Sequence, residues 1–352
     1  MHKNQNYFYS YFFVFYLRLI SERYMTTNSF NNFYRSLKLI LKRIPLLFTF
    51  LKKYPLRYYR NFKLRETDFP RQIWIEKTNH CNASCVMCPR ELQTRTKGIM
   101  DFELYEKIIK EVSKYTHLVE RLHMHNFGEP LLDKKLTKRI RLAKDHGVKC
   151  VYFVTNASLL NSKNAYDLIN SGLDEFKISF YGVDKNSYNN IMKDLDFDIT
   201  LANVKNFFKL RKKLNAKKPK VTLQLIPQSL SDNSLKKKWL SLFEEYIDES
   251  VGDSFNFYQL HNFGDSRDYV ETRNSTIRNT CNFPWNTMVI LQDGSVTACC
   301  LDYDGQIYLG NVNKQSIHEI WNGERYKKIR NDFKRLNYED YSVCKECNFS
   351  VD

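Results

Sequence analysis

After Pro70 the chain alternates two periodicities. Short runs, several of them apolar at every second residue and bounded by turn-forming residues, are separated by longer segments in which apolar residues recur every three to four positions. The short runs predict strands near 72–77, 119–125, 149–155, 174–180, 220–227 and 254–259. The longer segments predict helices near 102–114, 133–146, 159–171, 200–213 and 234–247. Strands and helices in strict alternation build repeated βα units on a parallel sheet. Beyond a polar linker at 264–280 the pattern changes. TMVILQDGSVTACC reads as two short strands joined by an Asp-Gly turn, and residues 315–336, after Gly310-Asn311, read as helical.

Ahead of Pro70 the chain is different in kind. Residues 7–17, YFYSYFFVFYL, form an uncharged aromatic run of eleven, short of the ~20 apolar residues that span a bilayer. Lys3 makes a thin positive region and no small-x-small cleavage site follows, so the run is a poor signal peptide; with Met25 as the start it would not be translated. From Phe33 onward apolar clusters alternate with Lys38, Lys42, Arg43, Lys52, Lys53, Arg57 and Arg60, interrupted by Pro45 and Pro55. That pattern suits two placements: an anionic membrane surface, contacted through residues 1–65, or a helical hairpin on the outside of the main domain with its basic face in water.

The 352 residues leave room for a barrel-sized domain and a smaller one. The organisation expected is an extension at 1–69, a main domain at 70–264 and a small domain at 265–352. The formal charge of +16 is concentrated at the front, since the first 70 residues hold 13 Lys and Arg against 3 Asp and Glu. The rest carries +6 with no basic stripe or RNA-binding signature, which argues against a nucleic-acid partner.

The densest chemistry is Cys81-Asn82-Ala83-Ser84-Cys85-Val86-Met87-Cys88, three thiols at C-x3-C-x2-C spacing on the loop after the first strand. Four thiolates close an iron–sulfur cluster, whereas three leave one iron open. Structural zinc would pair two C-x2-C knuckles instead, with His80 the nearest fourth ligand here. Nine cysteines, an odd number, in a chain without a clear secretion signal do not read as a disulfide framework. Four more thiols, Cys281, Cys299 or its neighbour Cys300, Cys344 and Cys347, make a complete second set, which suits either a closed cluster or tetrahedral zinc. Cys150, in an apolar run at the start of the third strand, reads as a core cysteine.

The cysteine triple resembles the signature of the radical S-adenosylmethionine superfamily, and later motifs support the resemblance. Gly128-Glu129-Pro130 after the second strand looks like the family's Gly-Gly-Glu-Pro turn, with Phe127 in place of the first glycine. Thr155-Asn156 resembles its Thr-Asn-Gly, with Ala157 in place of glycine; Ser179 and Gln224 stand where polar contacts to the cosubstrate are made. Met87 holds a position whose backbone meets adenine. The resemblance implies an α/β fold, a partial (β/α)6 TIM-like barrel followed by a small twitch-type relative of the SPASM iron–sulfur domain. It further implies a [4Fe-4S] cluster on Cys81, Cys85 and Cys88 that binds S-adenosyl-L-methionine, and an auxiliary [4Fe-4S] cluster on Cys281, Cys299, Cys344 and Cys347, with Cys299 preferred over Cys300 by its spacing from Gly294.

What the family does implies the rest. One electron cleaves S-adenosylmethionine to a 5′-deoxyadenosyl radical, which takes a hydrogen from substrate. A barrel cluster with one auxiliary cluster matches sugar and aminocyclitol dehydrogenases in architecture; many SPASM enzymes instead epimerise or cross-link a small peptide. A non-catalytic iron–sulfur electron carrier is the reading from another class. Candidates for contact with substrate or its proton are His125, Tyr258, His261 and Arg267. Oxygen-sensitive clusters imply the reducing cytoplasm and a flavodoxin- or ferredoxin-type electron donor.

Overall fold

The computed structural model describes residues 64–227, 231–264, 281–345 and 347–349. The chain divides into two compact units, Met1–Glu66 and Thr67–Asp352, and the second holds every predicted strand and both thiol sets. The basic, aromatic segment before residue 64 and Arg267 lie outside the described residues. Among the described residues no helix is long and apolar enough to cross a membrane.

All six anticipated strands form: β1 Gln72–Ile75, β2 Arg121–His123, β3 Val151–Thr155, β4 Glu175–Ser179, β5 Lys220–Leu225 and β6 Ser254–Phe257. Each pairs in parallel with the next in sequence. The far edge of β1 is taken by β7 (Thr287–Ile290), again in parallel, with Gln72 opposite Thr287 and Ile75 opposite Ile290. Two antiparallel strands, β8 (Ser295–Thr297) and β9 (Gly310–Asn311), finish a nine-stranded sheet in the order β6-β5-β4-β3-β2-β1-β7-β8-β9. The C-terminal hairpin therefore continues the barrel sheet. β7 is buried at all four positions, as a strand covered on both faces should be.

Alternation along the strands sorts the two faces of the sheet. Ile73, Leu122, Phe153, Phe176, Ile178 and Leu223 are completely buried and point outward. They pack under α1 (Phe102–Ser113), α2 (Leu136–Asp145), α3 (Ser162–Ile169) and the later α5 (Phe197–Lys213). Phe176, for example, meets Phe207 of α5 edge-on at 5.0 Å between ring centroids. The opposite, inner face carries Arg121, His123, Glu175, Lys177, Thr222 and Gln224, joined by strand register.

α4 (Lys185–Ile191) is not legible in the periodicity, because KNSYNNI has no apolar stripe. It forms through its N-terminus, a capping box in which Asp184 accepts from the Ser187 amide and Ser187 reaches back to the Asp184 amide. α6 (Asn233–Leu240) is likewise capped by Asp232 and buries Trp239. The C-terminal helical stretch is broken at Asn322-Gly323 into α7 (Ile317–Trp321) and α8 (Glu324–Lys334). Trp321 Nε1 and Asn322 Nδ2 donate to the carbonyls of Thr67 and Asp68, pinning the entry to β1.

Arg211 on α5 and Asp253 before β6 form a buried bidentate ion pair; the same carboxylate accepts from the Val221 amide and Arg211 donates to the Pro219 carbonyl. Removing only the guanidinium would strand a buried charge. Arg211→Met is expected to cost about 3–5 kcal/mol in urea denaturation, with much of the loss regained in the Arg211→Met/Asp253→Asn double variant.

Candidate functional site

The loop leaving β1 carries Cys81, Cys85 and Cys88, all half-buried and free of disulfides. Its backbone is held from several sides. Ser84 and Val86 amides donate to the carbonyls of Lys193 and Ile191 at the end of α4, 3.0 Å each, and Arg90 donates to the Ala83 carbonyl at 2.6 Å. Asn82 bonds Asn156 (3.1 Å) and Ser158 (2.9 Å) beyond β3. Burial pushes the Cys81 thiol up to about 11 and Cys85 up to about 12, and each feels its fellow cysteines as like charges. A cationic iron cluster would reverse that repulsion and hold the thiols as thiolates. The fixed loop and the soft, three-thiol donor set thus fit a cluster with one open iron. Among the described residues no three His, Cys, Asp or Glu side chains surround a single-ion position.

Gly128 lies against this loop. A Cβ there would stand 2.0 Å from the Thr78 carbonyl oxygen and 2.9 Å from that of His80, so only glycine permits the approach. The next amide, of Glu129, donates to His80 O at 2.8 Å. The Glu129 carboxylate is buried, which pushes its pKa up, and it accepts from Thr155 Oγ1 (2.6 Å), the Asn156 amide (2.9 Å) and the Leu131 amide (3.0 Å). Its side chain is thus spent on joining the end of β2 to the end of β3. Pro130 then opens a short 3-10 turn. The Asn156 side chain is likewise engaged within the protein, by Asn82 and Ser158. Ala157 has φ +59°, the left-handed region, which explains why a glycine suits that position.

Ser179 and Gln224 face each other across β4 and β5. Between them stands Tyr181, its hydroxyl donating to Ser179 Oγ at 2.9 Å and accepting from Gln224 Nε2 at 3.0 Å; Asn256 on β6 reaches Gln224 Oε1 at 3.4 Å. Tyr181 does not stand out in the sequence, where its signal is slight: an aromatic two residues past Ser179 at a strand exit. Burial pushes it up to about 12, and Cys85 and Cys88 act on it as nearby charges. Met87 is buried within the cysteine loop.

His123 stacks on Trp74 with centroids 3.5 Å apart and shares a hydrogen bond with Gln72 Oε1 at 3.0 Å. His125 lies on the same face, 5.8 Å from His123 and edge-on to Tyr152 at 5.5 Å. Burial holds both rings neutral, His123 well below its ordinary pKa and His125 down to about 3. His123 is therefore structural, and His125 stands nearer the strand end.

The second thiol set also gathers. Cys299 shares a hydrogen bond with Cys300, which raises its pKa well above the ordinary value together with burial and the neighbouring Cys281 and Cys344. Its sulfur accepts from the Leu301 amide at 3.3 Å, and the Cys347 amide donates to Cys344 O at 3.3 Å. Buried Asp302 organises the following loop, accepting from Thr297 Oγ1 and from the amides of Gln306 and Ile307. Four thiols plus Cys300 fit one closed cluster. Burial raises Tyr258, and Cys300, Tyr181 and Cys347 add to that as nearby charges. His261, 6.0 Å from Tyr258, accepts from the Phe263 amide through Nδ1, and burial lowers it to about 4. Cys150, expected in the core, is half-buried and hydrogen-bonded by Arg121, so it stands at the core's margin.

Cross-links join the halves of the site. Arg95 pairs with fully buried Glu76 at the end of β1 (2.7 and 3.0 Å) and donates to Tyr303 O, while Thr94 bonds Asp304. Phe127, which replaces the expected glycine, packs against Phe263 and Tyr303.

Residues 75–218 match the family model of the radical SAM superfamily, and residues 281–348 match SPASM, an iron–sulfur cluster-binding domain. The chain is 23% identical over 278 residues to the S-adenosyl-L-methionine-dependent 2-deoxy-scyllo-inosamine dehydrogenase of Niallia circulans, covering 78% of this chain and 92% of that protein. Its fold is similar to BtrN in complex with AdoMet and 2-DOIA (TM-score 0.56, 19% identity, 81% of this chain and 95% of that one). It is also similar to Streptococcus suis SuiB bound to its precursor peptide SuiA (TM-score 0.55, 16% identity, 81% and 72%).

Gly128→Ala forces main chain apart from main chain, and is expected to weaken S-adenosylmethionine binding roughly tenfold or more, about 1.4 kcal/mol, without changing far-ultraviolet dichroism; unchanged affinity would show that the turn does not touch the cosubstrate. The two histidines have pKa values lowered in the folded state, so their neutral forms contribute stability that is complete above pH 6.5 and declines as pH falls below it, for His125 down to about 3. Denaturation between pH 6.5 and 5 should steepen by at most about 1.4 kcal/mol per pH unit for each ring, and His125→Gln should flatten that limb; equal slopes would mean that the ring is hydrated.

Proposed function

Because the chain belongs to the radical SAM superfamily and ends in a SPASM domain, we propose that it dehydrogenates an alcohol of a small polyhydroxylated substrate, a sugar or aminocyclitol. The observation that carries this reading is the polar inner face of the sheet. Side chains of Thr222, Gln224, Asn256 and His125 face a common interior, and they offer hydroxyl, amide and imidazole groups suited to several substrate hydroxyls. The similarity over most of both chains to a 2-deoxy-scyllo-inosamine dehydrogenase supports it.

Cys81, Cys85 and Cys88 would hold the cluster that binds S-adenosylmethionine, and together these groups would supply the 5′-deoxyadenosyl radical. The protein's own work is placement. Gly128 lets the turn after β2 close on the cysteine loop, Ser179, Tyr181 and Gln224 present a hydrogen-bonded polar row beside it, and the helices over the outer face exclude water from the sheet. Oxidation of a carbinol carbon releases two electrons and two protons: one hydrogen leaves as an atom, one as a proton, and the remaining electron needs an acceptor. Cys281, Cys299, Cys344 and Cys347 are the residues we assign to a second iron–sulfur cluster, which would offer such an acceptor when bound. A flavodoxin- or ferredoxin-type protein supplies the starting electron in this reading.

Reconstituted protein should carry about eight irons, falling to about four in a Cys81/Cys85/Cys88→Ala variant, at four irons per cubane. With aminocyclitols and hexoses deuterated at their carbinol carbons, label should pass into 5′-deoxyadenosine and a ketone should appear. Label arriving only from deuterated short peptides would replace this reading by peptide modification.

A further inference from the structure

We propose that Lys177 is the anion-recognising residue of the substrate cavity, the docking point for a carboxylate or phosphate carried by the substrate. The inference rests on the reading of the inner sheet face as the substrate cavity and adds the charge of what enters it.

Lys177 lies in the middle of β4, on the inner face between Glu175 and Ser179. Its register partners are Val154 and Thr222, and neither can neutralise it. The nearest acid on its own face, Glu175, is committed to Arg121 at 2.8 Å, and Arg121 lies over the Tyr152 ring at 4.9 Å. The groups that act on Lys177, or on which it acts, are Arg121, His123 and His125, none of them negative. Among the described residues Lys177 makes no hydrogen bond or ion pair, whereas the buried Lys77 is satisfied by the Met124 carbonyl. On the same inner face, two strands away, Nδ1 of His123 and Nδ1 of His125 are buried without a hydrogen-bond partner.

A half-buried ammonium with no counter-ion is costly in the empty protein and is relieved when a ligand brings the missing charge. Burial and the Arg121 guanidinium hold it down to about 8, in keeping with that unmet demand. Its depth favours the substrate over the cosubstrate as the source of the anion: Lys177 sits two residues, roughly 6–7 Å, down the strand from Ser179 at the rim. The Arg121 guanidinium, on the same face, adds a second cation to meet an anionic oxygen.

The test is calorimetric and needs no turnover. Glucose 6-phosphate, glucuronate and glucose are titrated into reconstituted, S-adenosylmethionine-loaded wild type and into Lys177→Met and Lys177→Arg. The anionic probes should bind wild type at least tenfold more tightly than glucose. Lys177→Met should erase the difference, Lys177→Arg should keep most of it, and S-adenosylmethionine affinity should stay within twofold throughout, with wild-type iron content as the check on folding. If Lys177→Met fails that check, Lys177→Gln takes its place. Equal binding of charged and neutral probes by wild type, or an anion preference that survives in Lys177→Met, overturns the proposal. Weakened S-adenosylmethionine binding in Lys177→Met also overturns it, by assigning the lysine to the cosubstrate's carboxylate. Because no oxidation is measured, failure of the dehydrogenase reading leaves these outcomes unchanged.

Discussion

Strand β1 is hydrogen-bonded in parallel on both sides, to β2 and to β7, and the site is built around that double pairing. Its N-terminal half is pinned through Thr67 and Asp68 to the C-terminal helices; its C-terminal end releases the cysteine loop. A strand paired on one side only could shift by a residue and turn every side chain to the wrong face. With two ladders and the buried Glu76–Arg95 pair at its end, the loop after it has one position. Gly128 and Glu129 can then close on the loop from β2 because their distance to Thr78 and His80 is fixed by the β1–β2 register.

The same pairing explains why the C-terminal domain is not a separate ornament. β7 fills the edge that a closed barrel would give to a further strand, and Arg95, Thr94 and Gln93, just past the cysteine loop, bond Tyr303 and Asp304. The two thiol sets are thus parts of one sheet-based framework, and Phe127 packs across to Phe263 and Tyr303 where the family pattern has a small residue.

The inner and outer faces of the sheet do opposite jobs. Outward side chains are apolar and supply the stability; inward ones are polar, and several are left without partners. Buried polar groups are normally satisfied, yet His123 Nδ1 and His125 Nδ1 on the inner face have no hydrogen-bond partner, and Lys177 on that face has no counter-ion among the described residues.

Much of this was legible in the residues themselves. The six strands and five of the helices follow from hydrophobic period, and C-x3-C-x2-C, Gly-Glu-Pro and the paired thiols near the end are local spacings that a sequence displays directly. α4 was not, because a polar helix held by its cap and by Tyr188 has no periodicity to read. Nor was Tyr181, whose role exists only because β4 and β5 set Ser179 opposite Gln224 with a phenol between them. Nor was the part played by the Glu129 carboxylate, whose partners Leu131 after β2 and Thr155 and Asn156 at the end of β3 make it a brace between the two strand ends. By itself the sequence determined which residues carry chemistry and which segments become strands, since both depend on neighbours along the chain. Tertiary structure alone decided which charges are neutralised and which are left waiting, because that depends on strand register and burial, which bring together residues dozens of positions apart.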